Sequence, residues 1–117
     1  MIQEDLESML LSAMPTVPVY AQIAKQNSAL PYIVYQRVIS SVENTLTGNG
    51  TPPINNTRMQ LDVWSQSYAS VQAAAAALRA AMLAWGVQNL NLGEQDFYEA
   101  DKKMHRVMLD YSIWHYD

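Results

Sequence analysis

Between Arg58 and Leu83 the apolar residues change period with almost no intervening chain. Met59, Leu61 and Val63 alternate with Arg58, Gln60, Asp62 and Trp64, the period of a strand with one buried face. From Tyr68 onward the spacing is helical. Val71, Ala75, Leu78, Met82 and Trp85 recur at steps of four, three, four and three, one narrow apolar stripe on an alanine-rich helix. Ser67 stands where a hydroxyl can accept from an unsatisfied first-turn amide, and Gly86 where a left-handed C-terminal residue is expected. A strand followed so closely by a helix points to an α+β domain with the helix laid over the sheet. The alanines let the helix approach that sheet closely at little conformational cost. Burying Val71, Leu78, Met82 and Trp85 contributes roughly 1.5–3 kcal/mol each before chain entropy is counted.

The remaining segments are read against this unit. Ile2, Leu6, Met9, Leu10 and Ala13 predict a short N-terminal amphipathic helix, ended by Pro15 and Pro18. Residues 17–25 suit a short edge strand. Residues 32–40 predict a strand with Tyr32, Val34, Gln36 and Val38 on one face and Ile33, Tyr35, Arg37 and Ile39 on the other. Both of its faces are largely apolar, as in a strand covered on both sides or buried in an assembly. Residues 43–56 hold two Gly, two Pro, four Asn and three Thr, and read as a long flexible loop. Residues 87–96 read as a connector with at most a short extended piece. The last strand, 105–117, puts Val107, Leu109, Tyr111 and Ile113 on one face against Arg106, Met108, Asp110, Ser112 and Trp114. The expected fold is therefore one α+β domain over residues 1–117. Its antiparallel sheet has three to four strands, with the long Ala-rich helix and the short N-terminal helix packed on one face.

Composition narrows the function classes. A chain of 117 residues, 50% hydrophobic and 15% charged, forms one packed core. With no cysteine, disulfides and thiolate metal sites are excluded. No stretch of about 18 apolar residues exists, and the acidic N-terminus lacks the basic start of an export signal. A net charge of −4 disfavours nucleic-acid binding, and Lys102, Lys103, His105 and Arg106 read as a solvated run. No catalytic constellation assembles. His105 and His115 are roughly 33 Å apart on an extended strand. Asp96, Glu99 and Asp101 fit a solvated turn, and Gly48 and Gly50 lack the setting of a phosphate loop. The glycosylation patterns Asn49-Gly50-Thr51 and Asn55-Asn56-Thr57 are expected products of an Asn/Thr-rich loop. Neither an enzyme nor a cofactor or metal site is expected. Trp64 and Trp114 stand on otherwise polar strand faces, which favours them as interface anchors. Arg58, Asp62, Arg106 and Asp110 are the polar interface candidates beside them.

The blocks "LPYIVYQRVIS" (30–40), "RMQLDVWSQSYASVQAAAAALRAAM" (58–82) and "DFYEADKKMHRVMLDYSIWH" (96–115) occur in an order that resembles the small tail-completion, or tail-terminator-like, proteins of long-tailed bacteriophages and prophages. The resemblance covers most of the chain. It implies a structural protein at the head-proximal end of the tail, made in the host cytoplasm and carried in the virion tail. The implied partners are other copies of itself in a ring, commonly a hexamer and in some cases formed only on assembly. A tail-tube protein, whose polymerisation the ring ends, and a head–tail connector protein that docks on it complete the set. The competing readings are a head-closure or neck component of the same module and a small ligand-binding α+β domain.

Overall fold

The computed structural model describes residues 2–15, 17–22, 30–43 and 54–115. Of the loop expected at 43–56, residues 44–53 lie outside these, whereas Glu43 ends one strand and Ile54–Asn56 begin the next, a correction to both ends of the loop. The elements run α1 (Ile2–Ala13), β1 (Val19–Ala21), β2 (Tyr32–Glu43), β3 (Ile54–Ser65), α2 (Tyr68–Ala84), β4 (Asn89–Glu99) and β5 (Met104–His115). The five strands form a single sheet in the order β1-β2-β3-β5-β4. Every pairing is antiparallel except that of β1 with β2, which is parallel. The expected three to four antiparallel strands are thus corrected to five in a mixed sheet.

Two local causes account for the difference. β4 was hidden because its alternation is interrupted: a register shift between Asn91 and Gly93 inserts Leu92 as a bulge. Gly93 takes φ 158°, a conformation that side chains rarely adopt. Its residues are also mostly exposed, so no apolar period marks them. β1 is the short edge strand expected within 17–25; it is three residues long and pairs in parallel, which makes the sheet mixed. Its pairing is fixed by the Ile33 N–H donating to the Pro18 carbonyl at 2.9 Å and the Gln22 N–H to the Tyr35 carbonyl at 2.8 Å.

The core lies between one face of the sheet and both helices. Ile33, Tyr35, Met59, Leu61, Val63, Val107, Leu109, Tyr111 and Ile113 meet Val71, Ala75, Leu78 and Met82 of α2 and Ile2, Leu6 and Leu10 of α1. This is the face predicted from the alternation of β3 and β5. Ser67 caps α2 as expected, its hydroxyl accepting from the Ser70 N–H at 3.1 Å. The C-terminal cap differs. Trp85 is extended (φ −69°, ψ 136°) and its N–H donates to the Met82 carbonyl at 3.3 Å, without the left-handed residue expected at Gly86. The Asn89 side chain takes over part of the capping, donating to the carbonyls of Met82 (3.1 Å) and Val87 (2.8 Å). α1 is tied down by the Tyr35 hydroxyl, which donates to Glu7 at 2.8 Å. Burial and then this hydrogen bond push the Tyr35 phenol up to about 12.

β2 departs from its expected face assignment midway. A bulge between Arg37 and Ile39 leaves Val38 out of register and 53% exposed, and Ile39 pairs with Arg58. Alternation therefore holds only through Arg37.

Leu78 is fully buried while Leu83, one turn on, is 88% exposed. Leu78→Ala is expected to lower unfolding free energy by about 2–5 kcal/mol. Leu83→Ala should leave it within about 0.5 kcal/mol. Urea denaturation of both variants checks the pair.

Candidate interaction surface

Both helices lie on one side, and among the described residues no helix covers the opposite face of the sheet. Antiparallel register decides what it displays. Gln60 lies opposite Asp110, Asp62 opposite Met108 and Trp64 opposite Arg106, so all six candidate residues share this face.

Their distribution along the face is what the sequence did not give. Trp64 pairs with Arg106, and Trp114 lies eight residues further along β5, opposite Asn56. At about 3.3 Å per residue the two indoles are roughly 26 Å apart, at opposite ends of the surface. The charged candidates pair with one another between them. Arg58 and Asp110 form a bidentate pair, with Nε 3.0 Å from both carboxylate oxygens and Nη2 closing a further contact. Arg106 Nη1 reaches Asp62 Oδ1 at 3.4 Å and its Nη2 lies 3.2 Å from Glu99. Each pair is diagonal across β3 and β5, and the strands carry the charges in opposite order, so the two pairs form a short reciprocal ladder.

The Trp64 end is the more built of the two. Tyr32 stacks on the indole with centroids 6.3 Å apart and planes 20° apart, and Tyr20 meets Tyr32 edge-on at 6.2 Å. Lys102 Nζ stands 4.7 Å from the Trp64 ring centre, and the Arg106 guanidinium 5.4 Å from it. The other side of that guanidinium lies 4.3 Å over Phe97. Arg106 is thus held between two rings and two carboxylates, with its Nε buried without a hydrogen-bond partner. Tyr20, Phe97 and Lys102 were missed by sequence reasoning. Their positions depend on β1 and β4, the two strands that carry no clear period.

Asp62 is the buried carboxylate of this surface, its side chain only 13% exposed. Burial pushes its carboxyl above the ordinary 3.8, and the donors Gln60 and Arg106 pull it back only in part. Asp96 and Glu99, expected in a solvated turn with Asp101, are instead in β4; Asp101 alone lies in the turn that follows. On the helix side a smaller aromatic group gathers. His105 lies 4.9 Å from Tyr98 and 5.8 Å from Tyr68, and both tyrosines are more than half exposed. Among the described residues no group of three or more His, Cys, Asp or Glu could hold a metal ion, and no helix is long and apolar enough to cross a membrane.

A carboxyl raised on folding favours the protonated folded state, so its contribution is present at low pH and is lost as pH climbs through the folded value. Asp62→Asn removes that dependence. The wild-type chain should lose stability relative to Asp62→Asn as pH rises from below 3.8 through the raised Asp62 value. Chemical denaturation of both proteins across that range, with the Asp62 carboxyl followed by NMR, checks the sign. A wild-type chain that gains relative stability over the same rise would overturn it.

The comparisons with known proteins agree with this architecture. Among curated proteins no sequence matches. The fold is similar to that of a chain in a solved structure described as "Virion of native gene transfer agent (GTA) particle". The two share 14% sequence identity at a TM-score of 0.56, over 93% of this chain and 90% of that one. The family model of tail completion protein gp17 matches residues 7–116, nearly the whole length. The chain therefore belongs to the tail completion protein gp17 family, and is an α+β structural protein of the bacteriophage virion.

Proposed function

We propose that the protein completes the phage tail by binding the head-proximal end of the tail tube, ending its polymerisation and offering a docking surface to the head connector. The family match over residues 7–116 carries this reading. In it the active species is a homo-oligomeric ring, a hexamer, assembled in the host cytoplasm and retained in the virion tail. The work is binding, with no reaction and no cofactor. A ring needs heterologous contacts, in which one patch meets a different patch on the neighbour. The bare sheet face, with aromatic groups at its two ends, supplies surface of the right kind. A stable contact buries on the order of 1,600 Å² in total. The net charge of −4 also suits a ring through which DNA passes without adhering.

The deciding experiment adds the purified protein to polymerising tail-tube subunits and measures tube lengths by negative-stain electron microscopy. Shorter tubes, each bearing extra density at one end, are expected. Unchanged lengths with the protein bound instead to isolated connectors would replace this reading with that of a neck component.

Trp114 is the cleaner of the two tryptophans to test, because Trp64 is packed against Tyr32, Lys102 and Arg106 within its own chain. Trp114→Ala is expected to weaken tube capping roughly thirty-fold, the effect of removing an interface anchor worth about 2 kcal/mol. Its melting temperature should stay near that of the wild type. Trp64→Ala should lower both capping and melting temperature. Full capping by both variants would remove the tryptophans from the interface.

A further inference from the structure

Among the described residues the sheet has two open edges, and they face away from each other. β4 pairs with β5 alone along its length. On the far side β1 pairs with residues 33–35 of β2, and among the described residues the rest of that strand, Gln36–Glu43, pairs with β3 alone. We infer that the β4 edge of one copy pairs antiparallel with the Gln36–Glu43 edge of the next, joining their sheets; this rests on the ring reading above and names the surfaces that close it.

Strand direction allows the match. β2 to β3, β3 to β5 and β5 to β4 are three antiparallel steps, so β4 runs opposite to β2. Copies related by rotation therefore bring β4 beside the next β2 in antiparallel sense, and the alternation continues unbroken. The two edges are different surfaces, as a closed ring requires.

Hydrogen-bond phase identifies the free amides. The Trp114 N–H donates to the Gln88 carbonyl at 2.9 Å, so the even-numbered residues of β5 address β4. Past the Leu92 bulge, Gly93, Gln95, Phe97 and Glu99 lie opposite those residues, and Glu94, Asp96 and Tyr98 turn their amides outward. On β2, Tyr35 turns its carbonyl outward to Gln22, and Arg37 shares that phase. Beyond the Val38 bulge the outward residues are Ser40 and Val42.

Edge strands are commonly blunted by lysine or proline, and β4 has neither. Its bulge still leaves the unbroken run Gly93–Glu99. Charge selects between the two ways of covering it. β4 carries Glu94, Asp96 and Glu99 and no basic residue. Glu94 is paired with Arg79 and Glu99 with Arg106, so two β4 strands placed against each other would chiefly oppose their Asp96 carboxylates, whereas the β2 edge presents the exposed Arg37. The exposed Leu90 and Leu92 of β4 and Val38 of β2 supply apolar area along the same seam.

The absence of cysteine makes a direct test available. Double variants combine Asp96→Cys or Tyr98→Cys with Ser40→Cys or Val42→Cys, and are oxidised both as purified protein and on tail tubes. Asp96→Pro, which removes the carboxylate and an outward amide, is compared with Asp96→Ala, which removes the carboxylate and keeps the amide. A disulfide ladder ending in a closed ring, given by a double variant and by neither single variant, is the expected result. Asp96→Pro should lose the ring while Asp96→Ala retains it, with both showing wild-type circular dichroism. Rings that form without any ladder and survive Asp96→Pro would overturn the edge pairing and leave the ring intact. Dimers alone, cross-linked by a single β4 cysteine, would show a β4–β4 contact and overturn it as well. No ring in solution or on the tube would overturn the ring reading together with this inference.

Discussion

The antiparallel pairing of β3 with β5 sets the rest of the molecule. Its register places Leu61 opposite Leu109 and Val63 opposite Val107, which concentrates aliphatic side chains on one face of the central two strands. A slip of one residue would turn Met59, Leu61 and Val63 outward and bring Arg58, Gln60 and Asp62 into the core. The helices follow from that face. α2 lays its stripe of Val71, Ala75, Leu78 and Met82 over it, and α1 closes the remaining side with Ile2, Leu6 and Leu10. With all the helical cover on one side, the other face of the sheet has to manage its own exposure.

It does so with side-chain layers in place of a helix. The two Arg–Asp pairs hold the long polar groups against the sheet, and Tyr32 with Trp64 covers the end near β1. The Arg58–Asp110 pair is the more exposed of the two, and exposed ion pairs contribute little to stability. Their more useful property for an assembling protein is that they fix where charge sits on this surface. Arg106 is the exception in burial, because two rings and two carboxylates surround its guanidinium. That end of the face is therefore pre-organised, while among the described residues no comparable cluster surrounds Trp114 at the other end.

The fit between this architecture and tail completion lies in what is left open. A small domain with one core and a long, twisted sheet ends in strand edges that must be covered, blunted or used. Membership of the tail-completion family makes assembly the natural use. Among the described residues, many polar side chains of the sheet are engaged with one another, as in the Arg58–Asp110 and Arg106–Asp62 pairs.

Much of the fold was legible because two elements carry strong periods. The alternation in 57–65 and 106–113, the helical stripe from Val71 to Trp85 and the Ser67 cap predicted the central strands, the long helix and the face between them. They also placed Trp64, Trp114, Arg58, Asp62, Arg106 and Asp110 on one surface, since parity along a strand is a local property. What sequence could not supply was whatever depends on non-local pairing. β4 has a bulge and exposed residues, so only its hydrogen bonds to β5 identify it as a strand. β1 falls within the short edge strand expected at 17–25, but its parallel pairing with β2 is set only by contact with that strand. The separation of the two tryptophans, the pairing of arginines with aspartates and the burial of Asp62 all follow from strand register, which is set by contacts between residues far apart in the chain. The residues decided which faces are apolar; the tertiary structure alone decided which strands lie side by side, because that choice is made by the shared core and not by any one segment.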